Sequence, residues 1–487
     1  TGSTKCIGYF TDGRVFTNGT TVLTTVDSFS TTDVVGITID YDSSEVKWYV
    51  NNTLKVTRSS LDLTNVTFAV GDFGNSVTST ILCNFGQDSS FAGNKTAQGN
   101  TDDDGNGDFY YSPPSGFLAL CTANLPNPGI DPATGETPED YFDIQLWTGN
   151  GSGQTFSNFS FQPDWLWFKH RNGSSDHALF DSVRGVNAGL SSNNANNENT
   201  NASGSQDLVS FDSDGFTTGT PFQYGSLGSN THTIVTWAWK GGGSASTIAT
   251  DSVSSGVPSI QSSVSANTEA GFSIVGYTGT GSAGTVGHGL TSAPEMIIQK
   301  MRNPSSGENW TVFHKDLTSA NYALRLNLNN KEFDGSGNYF SATSSTTFSI
   351  GSTSQVNENT KTSIAYCFHS VDGYSKIGKY ISNNDSNGPF VYTGFRPAWV
   401  MVKAASTGGS HYDWTIYDNK RSPINSVALQ LEANQSADDE STRGVPIDFL
   451  SNGFKLRTSH AEANGGSSVT YIYLAFAEQP FKYSNAR

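Results

Sequence analysis

The sequence is poor in charged residues and in cysteine. Charged residues make up 15% of its 487 residues, against about 25% in typical soluble proteins. The four cysteines form no CxxC pair, and no His/Cys cluster has zinc spacing. Cys83 and Cys367 lie in apolar segments, which predicts small buried side chains. Cys6 with Cys83 is the one pair considered for a disulfide.

Basic residues are also scarce. The chain has 27 Lys and Arg against 44 Asp and Glu, which gives a formal net charge of −17. Because phosphate binding needs clustered Lys and Arg, we expect no nucleic-acid partner and no binding to an anionic membrane. No apolar run approaches the roughly 20 residues of a membrane span, so we expect no membrane insertion.

Sequence motifs of catalysis are missing as well. The chain contains no G-x-S-x-G elbow, no phosphate-binding glycine loop and no H-E-x-x-H helix. We therefore expect a protein that is not an enzyme, has no catalytic residues and needs no cofactor. Paired carboxylates for glycoside hydrolysis stay open, because such pairs meet in space and not in sequence.

What the chain does contain is three copies of one segment. Each opens with an aromatic residue and a polar Gly/Asn-rich turn, at Trp147, Tyr277 and Tyr380. A proline then begins an apolar strand, which reads PDWLWFK (163–169), PEMIIQK (294–300) and PAWVMVK (397–403). A second strand ends at residue 181, 314 or 418, and a closing strand ends at 239, 368 or 476. At roughly 100 residues each copy exceeds the solenoid period and is large enough for a core of its own.

The proline-led strand is apolar on both faces. In the first copy Trp165 and Trp167 point one way, while Leu166 and Phe168 point the other. A strand buried on both sides belongs in the middle of a layered structure. Since the composition is rich in Gly and aromatic residues, we predict an all-β protein of tandem antiparallel β-sandwiches, each with or without one short helix.

The N-terminal segment differs from the copies. VVGITIDYD (34–42) alternates as a half-buried strand does, Ser43 and Ser44 form a turn, and EVKWYV completes a hairpin. A further strand is predicted to end in ILCNFGQ (81–87). These segments resemble the SPRY family, a sandwich of antiparallel sheets similar to concanavalin-like lectins. The resemblance implies a binding module whose opening strands are missing, so the domain is expected to be incomplete upstream of Thr1.

These observations divide the chain into six segments. We predict a SPRY/concanavalin-like domain (1–93), a linker with an acidic turn and a Pro-Pro (94–140), repeat 1 (141–240), a Gly/Ser/Thr-rich linker (241–270), repeat 2 (271–373) and repeat 3 (374–487). The second linker is expected to be flexible or laid along a neighbour. The short junction between repeats 2 and 3 predicts that these two pack as a rigid pair.

The acidic turn is the one candidate metal site. Asp102, Asp104, Asn106 and Asp108 offer oxygen ligands at every second position, with Gly107 where a calcium loop turns. The spacing therefore predicts calcium binding. Pro113 stands at the twelfth position, where an EF-hand has a bidentate Glu, so a solvated acidic turn is the alternative.

Two charged patterns recur in the copies. Lys169, Lys300 and Lys403 each stand six residues after the proline, either as anion contacts or, as we expect, as snorkelling lysines at strand ends. Two copies also carry a D-x-x-R pair, Asp181 with Arg184 and Asp418 with Arg421, whereas the middle copy has His314 and Leu317. A turn salt bridge contributing about 0–1 kcal/mol tolerates such a replacement.

Three further segments carry a second resemblance: DFYYSPPSGFLALCTANLP, the YTGTGSAGTVGHGL…AP opening of repeat 2, and the C-terminal YIYLAFAEQPFKYSNAR. With them the chain resembles a family of virion structural proteins from marine bacteriophages, including those of cyanobacteria. The resemblance implies a tail fibre, spike or appendage on the virion surface, assembled as a homo-oligomer with other virion proteins. A carbohydrate-binding lectin and a virion-borne polysaccharide depolymerase remain as alternatives.

If the protein attaches to a host, loops are expected to make the contact. The candidates are residues 149–158, 279–288 and the Asn-rich loop 193–201, with His288 as a structural residue. Their Asn, Ser, Thr and Gly offer neutral hydrogen bonds suited to the hydroxyls of a host surface glycan. The alternative is that these loops only fill the surface between subunits.

Overall fold

The computed structural model describes residues 7–17, 20–23, 26–63, 66, 68–71, 80–200, 207–219, 230–250, 258–439 and 444–484. The chain is divided into two compact units, Thr1–Pro126 and Asn127–Arg487. The division falls inside the segment 94–140 that reads as a linker, and all three copies lie in the second unit. Strands are the main regular structure of the described residues, and the antiparallel sheets confirm the predicted all-β class.

The first unit contains two three-stranded antiparallel sheets, β1 to β3 and β4 to β6. Their bounds are Ile7–Tyr9, Val15–Thr17, Thr20–Leu23, Val35–Asp40, Glu45–Val50 and Thr53–Arg58. The predicted hairpin is confirmed, because β4 pairs with β5 across the turn at Ser44. Val46, Trp48 and Val56 pack with Val15 into a small core.

Residues 81–87 do not form the predicted strand. The Asn84 side-chain oxygen accepts hydrogen bonds from the backbone N–H groups of Gly86, Gln87 and Asp88, at 2.8, 2.9 and 3.2 Å. Asn offers the backbone this local alternative to a sheet ladder, which folds the segment into a turn. Cys83 is consequently exposed and not buried as predicted, and Cys6 lies outside the described residues.

In the second unit the three copies share one strand order. Copy one contains β7 to β15: Phe142–Thr148, Thr155–Phe156, Trp165–His170, Ala178–Asp181, Ala188–Gly189, Asn199–Thr200, Leu208–Asp212, Gly215–Thr218 and Thr233–Trp239. The strands β16 and β17, Ser246–Ile248 and Ser262–Asn267, precede copy two.

Copy two contains β18 to β26: Phe272–Thr278, Gly284–Gly287, Met296–Met301, Thr311–His314, Tyr322–Ala323, Phe333–Asp334, Phe340–Thr343, Thr347–Ile350 and Thr362–Phe368, with helix α1 at Ser354–Asn357. Copy three contains β27 to β34: Ser375–Asn383, Phe390–Tyr392, Phe395–Ala404, Thr415–Asp418, Leu431–Glu432, Ile447–Leu450, Gly453–Leu456 and Ser467–Pro480. Short 3₁₀ turns lie at Thr122–Asn124, Pro132–Thr134, Pro138–Asp140 and Phe481–Tyr483.

Each copy is a sandwich of a large and a small sheet. The large sheets have the equivalent orders β7-β15-β9-β10, β18-β26-β20-β21 and β27-β34-β29-β30, so the closing strand always lies between the first strand and the proline-led strand. The small sheets have the orders β8-β14-β13, β19-β25-β24 and β28-β33-β32. Copy two's large sheet is extended by β17 and β16, so the described part of the 241–270 linker lies along a neighbour.

The large sheet is the middle layer, as predicted from its apolar faces. Leu166 and Phe168 of β9 pack into copy one's own core against the small sheet, whereas Trp165 and Trp167 point the other way. That second face enters a core made by all three copies, where the Trp165 ring lies 4.2 Å from the Tyr366 ring, measured between ring centroids. Each copy therefore has a private core and gives one face to a shared core.

The three copies close into a ring. After its fourth strand each copy extends a segment, which we call the clamp loop (191–198, 325–332 and 432–439), onto the next copy. One backbone hydrogen bond recurs at each joint: Glu198 N–H to Arg302 O, Glu332 N–H to Ala405 O and Asp439 N–H to Arg171 O, at 2.7, 2.8 and 2.8 Å. The third bond joins copy three back to copy one, so the arrangement has pseudo-threefold symmetry.

A ring nitrogen reinforces each joint. Trp310 and Trp414 donate their indole N–H to Ser191 O and Arg325 O, at 2.8 and 2.9 Å. The equivalent residue of copy one is His177, whose Nε2 lies 3.0 Å from Glu432 O. The indole N–H of Trp167 donates to its Nδ1 at 2.8 Å, which assigns the proton to Nε2. The three joints thus share one hydrogen bond from a ring N–H to a backbone carbonyl, although the residues that form it differ.

Candidate functional site

The two ends of the second unit have different roles. Lys482 Nζ lies 2.8 Å from Asn127 Oδ1, and the Tyr483 hydroxyl donates to Asp131 at 2.7 Å, so the chain enters and leaves at one end. The closing strand of each copy runs toward this end. The first strand and the proline-led strand pair antiparallel with it on either side, so both run away from this end. The loops that follow the first strands, which we call the tip loops (149–154, 279–283 and 384–389), therefore lie at the opposite end.

In copies two and three the tip loops are fixed by a buried asparagine. Asn357 accepts a hydrogen bond from Thr280 N–H at 2.7 Å and donates to Ser282 O at 2.6 Å. Asn464 repeats this arrangement, accepting from Asn383 N–H at 3.0 Å and donating to Asp385 O at 2.9 Å. Most of the remaining polar groups of these loops are exposed to solvent. The arrangement presents preorganised donors and acceptors, which are neutral apart from the Asp385 carboxylate of copy three.

The predicted recognition segments 149–158 and 279–288 thus contain two of the tip loops. His288 is buried beyond its tip loop, with Nδ1 accepting from Leu290 N–H at 3.1 Å and Nε2 lying 3.1 Å from Ser344 O. Burial lowers the pKa of His288 to about 4. The imidazole is therefore neutral near pH 7 and holds the backbone, in keeping with the structural role expected of it.

The third predicted recognition loop has a different position. Of residues 193–201 the structure describes 193–200: residues 193–198 belong to copy one's clamp loop, and Asn199–Thr200 form β12. Ala195 O accepts from Lys300 Nζ at 3.1 Å, and Asn197 donates to Pro304 O at 3.2 Å. Residues 188–192, which come just before the predicted loop, are buried. Polar composition indicated exposure, but the polar groups are used in the joint.

The three equivalent lysines are fully buried, so the snorkelling interpretation is wrong. Lys169, Lys300 and Lys403 are each 0% exposed. Lys169 and Lys403 donate to the carbonyls of His170 and Ala404 at 2.6 and 2.7 Å, and Lys300 also donates to Glu308 O. Burial lowers the pKa of Lys169 and Lys300 to about 8 and that of Lys403 to about 7. The prediction of equivalent positions on one strand is confirmed.

The D-x-x-R pairs belong to the joints and are not surface salt bridges. Arg184 Nε lies 2.5 Å from Asp181 Oδ2, and both side chains are 0% exposed. Asp181 also accepts from the Tyr366 hydroxyl of copy two at 2.8 Å. Asp418 and Arg421 repeat the pair, and Asp418 accepts from the Trp237 indole of copy one at 3.1 Å.

Sequence reasoning missed one acid at each of these two joints. Glu198 pairs with Arg184 of its own copy at 3.1 Å and with Arg302 of the next at 2.7 Å. Asp439 bridges Arg421 and Arg171 in the same way, both at 2.7 Å. Burial raises the pKa of Glu198, but the bonds and charges of Arg302 and Arg184 outweigh it and hold this pKa below its ordinary value.

At the remaining joint three of the four charged residues are replaced, and the acid of the clamp loop is kept as Glu332. His314 and Leu317 stand in place of the Asp and Arg, and Ala405 stands in place of Arg171 or Arg302. The residue of copy three that faces them is Leu474, where the other joints have Trp237 or Tyr366, and His314 Nε2 instead approaches Tyr473 O at 3.4 Å. In the sequence, these residues of copies two and three change together, and that was the signal that they contact one another.

The acidic turn is folded around one carboxylate. Asp102 Oδ1 accepts from the N–H groups of Asp104 and Asn106, and Oδ2 accepts from Ala119 N–H and the Asn124 amide, all between 2.7 and 3.1 Å. Asp104 is exposed, and Asp108 lies next to the Gly86 turn. Within the described ranges no group of three or more His, Cys, Asp or Glu is placed to hold a metal. Calcium binding stays a prediction, and the structure gives Asp102 four protein donors.

One polar cleft lies at the end where the chain enters the second unit. It has a volume of about 440 Å³ and is lined by Gln162, Asp164, 240–243 and 266–269. Asp164 Oδ2 accepts from Gly241 and Gly243 N–H at 2.9 and 3.2 Å, and burial raises the pKa of this carboxyl. Glu269 accepts from the Tyr141 hydroxyl at 2.9 Å. Both carboxylates are thus held by protein donors.

The fold and its joints define a class of protein: an all-β chain in which three fused sandwiches share a core and clamp one another in a ring. The chain belongs to the family of the domain of unknown function DUF7483, whose model matches residues 137–480. The match covers the three copies. Neither the curated proteins nor the solved structures gave a match. In the described part of the chain, no helix is both long and apolar enough to cross a membrane.

Proposed function

We propose that this chain is a non-enzymatic surface protein of a bacteriophage virion, a subunit of a tail fibre, spike or other appendage. It attaches the virion to its host or displays domains toward it. The observation that carries the proposal is the closed ring. The residues where the chain enters and leaves it lie at one end, and the tip loops lie at the other. A body anchored at its base and rigid at its tip suits an appendage exposed outside the cell.

The buried ion pairs support the same role. A virion appendage has to keep its shape without a cell to renew it, and a joint held by these pairs would on opening lose several charge-assisted hydrogen bonds, which are stronger than neutral ones. The recognition surface is then the tip, because a rigid scaffold positions loops at its end for contact. Its neutral amide and hydroxyl groups suit the hydroxyls of a host surface glycan. Nucleic acid and membrane are not proposed as partners, given the net charge of −17.

The partners proposed are other virion proteins and further copies of this chain. Since all three joints are closed within one chain, further copies would bind through other surfaces. Native mass measurement of the purified chain tests the homo-oligomer, and a stable monomer with no particle association counts against it.

Mass spectrometry of purified particles tests the virion location. The chain is expected among the structural proteins, and its absence from particles would overturn the proposal. Adsorption tests the attachment role: purified chain added in excess should slow adsorption of particles to host cells. If adsorption is unchanged at a saturating concentration of the purified chain, the attachment role is excluded and the display of domains toward the host remains.

A virion-borne depolymerase is the second candidate, motivated by the two carboxylates of the polar cleft. Glycoside hydrolysis needs one carboxyl group as acid and a second as base or nucleophile. Here Asp164 and Glu269 are both engaged by protein donors, which favours a binding role over catalysis. Release of reducing sugar from host envelope that is lost in Glu269→Gln would reverse this preference.

A further inference from the structure

The small sheet of copy three differs from its two counterparts on the outer face. Its first strand, β28, exposes Phe390 by 45% and Tyr392 by 56%. The two rings point to the same side, since Val391 between them is buried in the copy's own core. Exposed aromatic side chains of this size are costly to leave in water, so their presence needs a reason.

The register of the sheet identifies the equivalent residues in the other copies. Val391 pairs with Phe454, as Phe156 pairs with Phe216 and Val286 with Phe348. Phe390 is therefore equivalent to Thr155 and Thr285, and Tyr392 to Ser157 and Gly287. Both other copies fold with small residues at these positions. The fold itself does not require the aromatic pair.

The neighbouring strands carry the same difference. Lys455 lies opposite Phe390 and Asp448 lies opposite Lys455, so the three side chains form a row across the sheet. Arg457 continues this face, with its side chain 46% exposed and its Nε 2.5 Å from Asp448 Oδ2. The counterparts in copy one are Thr217, Ser210 and Gly219, and those in copy two are Ser349, Ala342 and Gly351.

The face has the size and chemistry of a small ligand site. Two residues along a strand are about 7 Å apart, and three strands span about 10 Å. Gly453 lies opposite Tyr392, and the Phe390 ring packs over it, with Cε2 3.1 Å from where a Cβ would stand. Lys455 Nζ donates to Gly388 O at 2.6 Å, which leaves two of its three N–H groups for a ligand.

We infer that this face, formed by Phe390, Tyr392, Lys455 and Arg457, with the buried Asp448 holding Arg457 in place, binds a glycan built of pyranose rings. A pyranose has an apolar C–H face that stacks on an aromatic ring, and its rim of hydroxyls matches the row of charged donors and acceptors. A docked protein fits less well, because the centre of a protein interface is depleted in charged residues. Asp448 and the net charge of the chain oppose a nucleic-acid backbone.

This inference rests on the proposed attachment function and adds to the tip a second contact surface for the same ligand class, on the side of copy three. Binding by the purified chain tests it apart from the virion location. A chain that is absent from virions but binds glycans would overturn only the proposed function. A virion protein that binds no glycan would overturn only this inference.

The probes are an array of bacterial surface polysaccharides and tetra- to hexasaccharides of hexoses, followed by titration calorimetry with the strongest binder. The test variant, Phe390→Thr with Tyr392→Ser, places copy one's residues in copy three, so it is expected to keep the melting temperature. We expect its affinity to fall by at least about tenfold. The matched control, Thr155→Ala with Ser157→Ala, alters the equivalent face of copy one and should leave the affinity unchanged.

Tyr392→Trp provides a second variant, which keeps an aromatic face and should retain binding to within about threefold, well under one tenfold step. The inference is overturned if no probe binds the wild-type chain, or if the Phe390→Thr, Tyr392→Ser double variant binds as tightly as wild type. It is also overturned if the control variant loses as much affinity as the test variant.

Discussion

One buried lysine lies at the equivalent position of the proline-led strand in every copy. A lysine taken out of water without a carboxylate against it is costly to keep charged, and its pKa falls for that reason. Lys403 is the most affected, with a pKa of about 7 in the folded chain, against about 10.4 in an unfolded one. Between these values the unfolded chain holds a proton that the folded chain lacks, so stability rises with pH.

We predict that Lys403→Met removes part of this pH dependence. In the wild type, the melting temperature of the second unit should increase from pH 7 to pH 9.5. In the variant the increase should be smaller, and the melting temperature at pH 7 should be equal or higher, because a well-packed apolar residue often replaces a buried charge without loss. Differential scanning calorimetry at several pH values provides the measurement. Equal slopes in both proteins would contradict the assigned cause.

Lys420 supplies the control. Its side chain is 43% exposed, so Lys420→Met should leave the slope between pH 7 and pH 9.5 unchanged. A change of slope as large as that of Lys403→Met would mean that the effect comes from net charge and not from burial.

At the scale of elements, the clamp loops hold the ring. Glu198 and Asp439 each lie between an arginine of their own copy and one of the next. Removing such an acid takes this ion-pair partner from the arginine of the next copy, Arg302 or Arg171, while the arginine of its own copy keeps the aspartate of that copy. Breaking a buried ion pair by removing one partner typically costs about 3–5 kcal/mol.

We therefore predict that Glu198→Gln and Asp439→Asn each lower the free energy of unfolding by about 3 kcal/mol or more. Glu332→Gln is the matched control at the third joint. Among the described residues, its carboxylate accepts from Thr318 N–H at 2.9 Å and from the Thr318 hydroxyl at 2.6 Å. Its cost should stay below about 1.5 kcal/mol. Urea unfolding followed by tryptophan fluorescence measures all three. Similar losses in the three variants would contradict the role of the buried pairs.

The acidic turn gives a further prediction at this scale. Because the Asp102 carboxylate already accepts four protein hydrogen bonds, removal of calcium by a chelator should leave protease sensitivity near Tyr110 unchanged. Asp102→Asn should increase that sensitivity with or without calcium, since the amide cannot accept from all four donors. Protection by added calcium that a chelator reverses would instead support the predicted calcium site.

The sequence predicted the features that depend on local patterns and missed those that depend on contacts between copies. The two-sided apolar strand at Trp165 to Phe168 was predictable, because alternation and length are local properties. The equivalence of the three lysines followed from spacing alone. Their burial did not, because the residues that cover them lie in another copy. For the same reason Glu198 read as part of a polar loop, although it is a joint residue.

At the scale of the molecule, the copies depend on one another. The large sheet of each copy has one face in the copy's private core and the other in the shared core. In the shared core Trp239 contacts Trp399, and Phe142 contacts Phe476, across copies. A separated copy would expose that whole face to water. The second unit is therefore expected to unfold as one cooperative body.

We predict that residues 127–487 expressed alone fold and melt in a single transition. Residues 258–373, which carry copy two with its added strand β17, should remain unfolded or aggregate, because the partners of Phe272, Tyr366 and Phe368 are absent. Circular dichroism and size-exclusion chromatography test both. A monomeric, cooperatively folded copy two would contradict the shared core as a requirement for folding.

The contact of Lys482 with Asn127 and of Tyr483 with Asp131 has one more consequence. A ring whose two ends touch has no intrinsic first or last copy. Joining residues 484 and 127 through a short peptide and opening the chain between copies one and two, in the 251–257 segment, would permute the gene order to two, three, one. The same three joints would then form, so the order of copies along the chain is a matter of genetic history and not of folding.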